Sequence, residues 1–170
     1  EKKPKNVVTI LYDGMGANIL KRTLNENDFL VKNMKKSITT VFPATTVAAT
    51  TSMVTGLNPI ETGMIGWNTY YKDIDKIITT FLNFEKTDPT FTPLVEAKKV
   101  RQKYMKEKTI VESINEEGKY KAYGLYPFGA EPYTDALDMY SRIEKYCNEE
   151  GKKYIYAYDE EPDHTMHMYG

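Results

Sequence analysis

The sequence predicts an α/β protein, a three-layer α/β/α sandwich built on a mostly parallel central sheet. Three observations predict it. The apolar, β-branched run Val7-Val8-Thr9-Ile10-Leu11 lacks polar alternation, as expected of a strand buried on both faces of a parallel sheet. Helical stretches separate the strand candidates, as parallel crossovers require. The residues with chemical reach (Asp13, Thr45 or Thr46, and the pair Asp163 and His167) follow strand candidates, and open α/β sheets bind ligands beyond the carboxyl ends of their strands.

The first strand ends in Tyr12-Asp13-Gly14-Met15-Gly16, where two glycines allow a tight turn and leave Asp13 at the carboxyl end. A helix over Ala17 to Leu24 and a polar loop through Asn25 to Asp28 follow. Ser37 to Phe42 reads as a second strand, with Pro43 holding Phe42 extended. The small residues from Val47 to Ser52 suit a helix packed closely on a sheet, closed by Thr55-Gly56. Thr45 or Thr46 falls at the junction, where a hydroxyl serves either as an N-cap or as a nucleophile facing a bound phosphate.

Gly56 to Gly66 reads as loop, Trp67 to Tyr71 and Lys76 to Phe84 as strands, and Asp88 to Pro93 as loop. The basic stretch Lys98 to Lys108, with Arg101, Lys103 and Lys106, reads as a solvated face in preference to a phosphate patch. Thr109 and Glu112 have capping-box spacing, and Gly118 is a stop, so a helix spans Ile110 to Glu117. Lys119 to Leu125 is a strand leading into Pro127-Phe128-Gly129. Apolar residues recur at helical period from Thr134 to Glu150, with Cys147 on the packing stripe and Gly151 as the stop. Tyr154 to Tyr158 is the last strand, and residues 159–170 run off its end.

Composition narrows the class further. The 170 residues suffice for one domain with a real core, and shares of 41% hydrophobic and 28% charged residues are those of a soluble globular chain. With 23 basic and 24 acidic residues, no bulk field draws the chain to a nucleic-acid polymer or a membrane surface. The 14 tyrosines are scattered and form no RNA-binding signature, and no apolar run reaches the length of a membrane span. A single cysteine excludes an internal disulfide and fits a reducing compartment, so cytoplasmic residence is expected over export. The first residue is Glu1 and not Met, which fits a processing boundary and keeps an exported form open.

Both histidines, His164 and His167, lie in the last seven residues, within Glu160-Glu161-Pro162-Asp163-His164-Thr165-Met166-His167. The four-residue spacing of Asp163 and His167 puts an oxygen and an imidazole on one face of a helical turn, a pair suited to a divalent ion and to zinc in particular. A carboxylate, a hydroxyl at a helix N-terminus and an imidazole–carboxylate pair at one sheet edge are what two-metal ester hydrolysis needs.

At these residues the sequence resembles the type I phosphodiesterase/nucleotide pyrophosphatase family of the alkaline phosphatase superfamily. The resemblance runs through Val7 to Gly16, Phe42 to Gly66 and Tyr158 to Gly170, most specifically in Glu-Glu-Pro-Asp163 followed by His167 and Tyr169-Gly170. It implies an alkaline-phosphatase-like fold and two divalent metal ions, Zn2+ by the family pattern, acting on a small phosphoester that includes nucleotides. It places the nucleophile on Thr46, with Asp13 and Thr46 binding one zinc and Asp163 and His167 the other. Thr46 would attack phosphorus and form a phospho-threonine, released by hydrolysis. His164 is not a family ligand and is expected beside the site or facing solvent.

Two departures touch the substrate. Val47-Ala48-Ala49 stands where nucleotide-cleaving members have Phe-Pro-Asn, and Trp67 stands where they have a phosphoryl-binding asparagine. Asn68 is the next residue and is the candidate for that role, with Trp67, Tyr70 or Tyr71 either a wall for the leaving group or plain core. The family also supplies an Asp-His pair and one more histidine from sequence beyond the Asp-x-x-x-His motif. The chain is therefore expected to be the N-terminal part of one catalytic domain, inactive or nearly so alone. The competing readings are a phosphomonoesterase or phosphomutase of the same superfamily and a non-catalytic domain that binds a phosphorylated ligand. Sulfatase chemistry is not expected, because Cys147 lies far from the Thr46 junction and outside the Cys-x-Pro-x-Arg signature of sulfatases.

Overall fold

The computed structural model describes residues 3–104 and 108–170. Along the chain it forms β1 (Asn6–Tyr12), α1 (Ala17–Thr23), α2 (Phe29–Lys32), α3 (Thr46–Thr55), α4 (Pro59–Thr62), β2 (Asn68–Tyr71) and β3 (Lys76–Thr79). There follow β4 (Phe84–Glu85), α5 (Val95–Tyr104), α6 (Ile110–Glu117), β5 (Lys121–Leu125), α7 (Ala136–Asn148), β6 (Lys153–Asp159) and α8 (Asp163–Tyr169). The chain divides into two compact units, one of residues up to Ile38 and from Val111 onward, the other of Thr39–Ile110.

The first unit is the α/β unit. Its sheet is parallel in the order β1-β6-β5, with Leu11 beside Tyr158 and Leu125 beside Ala157. The middle strand β6 is buried along nearly its whole length. The expectation of burial on both faces therefore belongs to β6, and for β1 it is corrected: Val7 and Val8 are 49% and 39% exposed. Only the later part of β1, Ile10 and Tyr12, reaches the core of Leu125, Tyr133, Met139, Ile155 and Ala157.

Helix α7 covers that core with Met139, Ile143, Tyr146 and Cys147, which recur every three or four residues and so share one face. The Asp135 carboxylate starts α7 by accepting the Asp138 N–H at 2.8 Å. Lys153, buried at the start of β6, donates from Nζ to the carbonyls of Glu149, Glu150 and Gly151 at 2.7, 2.8 and 3.0 Å. Those acceptors lie just past α7, where a cation complements the helix dipole. On α6, the Asn115 amide exchanges hydrogen bonds with the Ala122 backbone, donating to its carbonyl at 2.9 Å and accepting its N–H at 2.8 Å.

The second unit holds an antiparallel sheet, β2-β3-β4, with Tyr71 beside Lys76. The predicted strands here do not extend the parallel sheet. Only residues 72–75 join β2 to β3, far too few for a parallel crossover. The strand expected over residues 76–84 is broken by a turn at Thr80 to Asn83, where Asn83 takes a positive φ of 58°. Helix α5 closes this unit's core by burying Ala97 and Val100 against Tyr71 and Ile78.

Three further expectations change. Residues 37–42 form no strand: with no ladder partner their β-propensity has nothing to act on, and Phe42 is 90% exposed. The stretch read as loop over residues 56–66 contains α4, begun by Asn58, whose backbone N–H donates to Glu61 Oε2 at 2.8 Å. Within the basic stretch, Lys98 and Lys99 are solvated, but Arg101 turns inward. Its guanidinium lies over Phe81 and donates to the Phe81 carbonyl at 3.1 Å. Lys106 lies outside the described residues.

Candidate active site at the carboxyl edge of the parallel sheet

Strands β1, β6 and β5 point the same way, so the segments after Tyr12, Asp159 and Leu125 emerge at one edge. Asp13 continues the β1 ladder by one step, its N–H donating to the Asp159 carbonyl at 2.8 Å. Its own carbonyl accepts the Asp163 N–H at 3.2 Å, which ties the first residue of α8 to the end of β1. Gly14 makes this approach possible. It has φ +69°, and a Cβ there would lie 2.9 Å from Asp163 Cβ and 2.8 Å from Met166 Cε.

The Asp13 carboxylate is held at both oxygens. Oδ1 accepts the Gly14 N–H at 3.0 Å, and Oδ2 accepts the Tyr158 hydroxyl at 2.8 Å. Burial, and then that bond to Asp13, push the Tyr158 hydroxyl well above the usual phenol range, so it stays a proton donor at neutral pH. Burial also raises the Tyr12 and Tyr133 hydroxyls. The Tyr133 hydroxyl donates to the Tyr158 carbonyl at 2.8 Å.

On α8, His167 Nε2 lies 3.3 Å from Asp163 Oδ2, one helical turn away, with the imidazole largely in solvent. His164 turns instead to Glu161, its Nδ1 3.3 Å from Oε1. Asp13, Asp163 and His167 are thus brought together in the first unit. Thr46, Trp67 and Asn68 are carried by the second.

There, the two candidate threonines divide the N-terminus of α3 between them. Thr45 is the cap, its hydroxyl accepting the Ala48 N–H at 3.3 Å, and Thr46 is the first helical residue. Among the described residues the Thr46 hydroxyl makes no hydrogen bond, and the N–H groups of Thr46 and Val47 find no acceptor. Asn68 Oδ1 accepts the Thr79 hydroxyl at 3.0 Å. Trp67 is half-exposed, edge-on to Phe81 with centroids 6.3 Å apart. A cleft of about 270 Å³ in this unit is lined by Met64, Tyr70, Tyr71, Arg101 and Tyr104 among others; of the candidate walls Tyr70 and Tyr71 line it, while Thr46, Trp67 and Asn68 do not.

The sequence-predicted set omits what surrounds Asp13. Gly14 was legible only as a turn, and Tyr158 only as part of a buried strand. Phe128, half-exposed after β5, sets its ring 6.0 Å from that of Tyr158 and gives the edge an aromatic surface. The signal for Tyr158 was its place one residue before the end of β6, a position that becomes informative only once β1 is known to lie alongside.

The family's sequence pattern matches residues 7–170, nearly the whole chain. The protein belongs to the type I phosphodiesterase/nucleotide pyrophosphatase family. No curated protein and no solved structure matches it significantly. Family membership supports a phosphoester hydrolase of the phosphodiesterase/pyrophosphatase type. It gives the carboxyl edge a chemical meaning: carboxylates and an imidazole are the donor types that bind zinc. Asp163 and His167, a turn apart, fit a divalent ion in kind and spacing, and Asp13 adds a carboxylate already oriented by two donors. Among the described residues, no group of three or more His, Cys, Asp or Glu side chains is arranged around one metal position. No helix among them is long and apolar enough to cross a membrane.

Proposed function

We propose that this member of the phosphodiesterase/nucleotide pyrophosphatase family cleaves a small phosphodiester or pyrophosphate, nucleotides included, with Thr46 as nucleophile. Asp13 and Thr46 would hold one divalent ion, Asp163 and His167 a second, Zn2+ in both cases. The observation that carries the reading is the carboxyl-edge arrangement, with Asp13 bonded through its backbone to Asp163 and Asp163 paired with His167. The ions, when bound, supply positive charge that lowers the pKa of the threonine alcohol and neutralises charge on the phosphoryl oxygens.

The chain's own groups do the rest. Thr46 Oγ1, its proton passing to solvent, forms a bond to phosphorus as the bond to the leaving-group oxygen breaks, and water then hydrolyses the phospho-threonine, restoring the hydroxyl and releasing the phosphate product. Thr46 suits this role because its neighbour Thr45 does the capping, which leaves the Thr46 hydroxyl unengaged. The unpaired N–H groups of Thr46 and Val47 at the start of α3 are donors of the kind that bind phosphoryl oxygens. Asn68 would assist them, and half-exposed Trp67 offers apolar surface for a leaving group.

The test is hydrolysis of bis(p-nitrophenyl) phosphate by the intact, zinc-replete gene product beside its Thr46→Ala variant. Turnover by the parent, reduced by at least ~10³-fold in the variant, is expected. Zinc binding without diester turnover, accompanied by monoester hydrolysis or phosphoryl transfer, would replace this reading with a monoesterase or mutase.

A further inference from the structure

We propose that Tyr158 is a positioning residue for metal binding: its hydroxyl sets the orientation of the Asp13 carboxylate. The inference rests on the reading of Asp13 as a metal ligand and names the residue on which that ligand depends.

The backbone of Asp13 is fixed on both sides, by its N–H to the Asp159 carbonyl at 2.8 Å and its carbonyl to the Asp163 N–H at 3.2 Å. The remaining freedom is rotation of the side chain. Oδ1 takes a hydrogen bond from Gly14, the next residue, which restrains the carboxylate only locally. Among the described residues, the one tertiary hydrogen bond to it comes from the Tyr158 hydroxyl, 2.8 Å from Oδ2 and 145 positions away in sequence.

Tyr158 is itself rigid. It is buried, lies beside Leu11 in the β1–β6 ladder, and stacks obliquely with Phe128. Its carbonyl is held by the Tyr133 hydroxyl. One donor to Oδ2 uses one lone pair and leaves the others directed away from Tyr158, so a cation meets a preset ligand. Partners of this kind behind a ligand typically govern metal affinity by about 10–100-fold.

Two residues earlier on the same face of β6, Tyr156 supplies the control. It is 1% exposed and its hydroxyl has no hydrogen-bond partner among the described residues, so Tyr156→Phe removes a buried hydroxyl that makes no hydrogen bond to Asp13. Tyr158→Phe keeps the ring and removes the one bond at issue.

Zinc affinity of the full chain is measured by competition with a chromogenic chelator for the parent, Tyr158→Phe, Tyr156→Phe, Asp13→Ala and the Asp13→Ala/Tyr158→Phe double variant. Expected are a fall of about 10-fold or more for Tyr158→Phe, none for Tyr156→Phe, and no further loss in the double variant beyond Asp13→Ala alone. Parent-like affinity in Tyr158→Phe, with affinity lost in Asp13→Ala, overturns the inference and leaves Asp13 as a ligand. An equal further loss from Tyr158→Phe in the Asp13→Ala background also overturns it, because Tyr158 then acts by another route. Unchanged affinity in Asp13→Ala overturns both the inference and the ligand reading beneath it.

Discussion

Gly14 shows how one missing Cβ shapes the edge of the sheet. Its positive φ turns the chain at the end of β1, and the absent side chain admits Asp163 and Met166 to within 3 Å of where a Cβ would stand. Gly14→Ala meets both problems, since an L residue is strained at that φ and the nearest atoms include the Asp163 backbone. Expected is a loss of about 1–3 kcal/mol in denaturant unfolding, accompanied by weaker zinc binding as Asp163 is displaced from Asp13. A Gly14→Ala protein of parental stability and zinc affinity would show that α8 does not depend on this close approach.

Among the elements, α7 makes the clearest pH prediction. The Arg142 guanidinium grips the Asp138 carboxylate, with Nε 3.0 Å from Oδ1 and Nη2 2.8 Å from Oδ2, and the Thr134 N–H adds a third bond. Arg142 first, and then Thr134, hold this carboxyl below its ordinary value. A depressed native pKa stabilises the fold above the unfolded value of about 3.9 and ceases to do so as pH falls through the native one. Asp138→Asn should therefore melt below the parent at pH 7, and the gap should close as the pH is lowered through that acid range. A gap that persists undiminished at the acid end would mean that the carboxylate charge is not what Asp138 contributes.

The same helix shows what sequence reading can and cannot see at this scale. Its existence over residues 134–150, which form a helix at Ala136–Asn148, its apolar face and the turn at Gly151 are local signals and were legible, as were the bounds of α6. The strand expected over residues 37–42 rested on local signals, its β-branched composition and the extended conformation that Pro43 favours at Phe42. Such composition describes fitness for a pleated, half-covered surface, and no neighbouring strand provides one there. Likewise, the sequence of β1 cannot say that it borders the sheet and leaves Val7 and Val8 exposed.

For the molecule as a whole, two units imply two cores, each with its own probe. Ile155 and Ile78 are both fully buried, one in each core. Trp67, the sole tryptophan, belongs to the second unit, so its fluorescence follows that unit's unfolding. Ile78→Ala should lower the stability read from Trp67 by about 2–5 kcal/mol, and Ile155→Ala should lower that read from far-UV circular dichroism by a similar amount. A Trp67 transition indifferent to Ile78→Ala would contradict the core described around Tyr71, Ala97 and Val100.

By itself the sequence determined the alternating α/β character, the family and the chemical identity of the candidates Asp13, Thr46, Asp163 and His167. These reside in local composition and in spacing along one segment, and a helical repeat puts Asp163 beside His167 whatever lies around them. Tertiary structure alone decided that Asp13 is bonded to Asp163, that Tyr158 donates to its carboxylate, and that β2 and β3 form a separate antiparallel sheet. Each of these depends on which strand lies beside which. That order is set by long-range burial competing with chain entropy, and it leaves no periodic trace in the sequence.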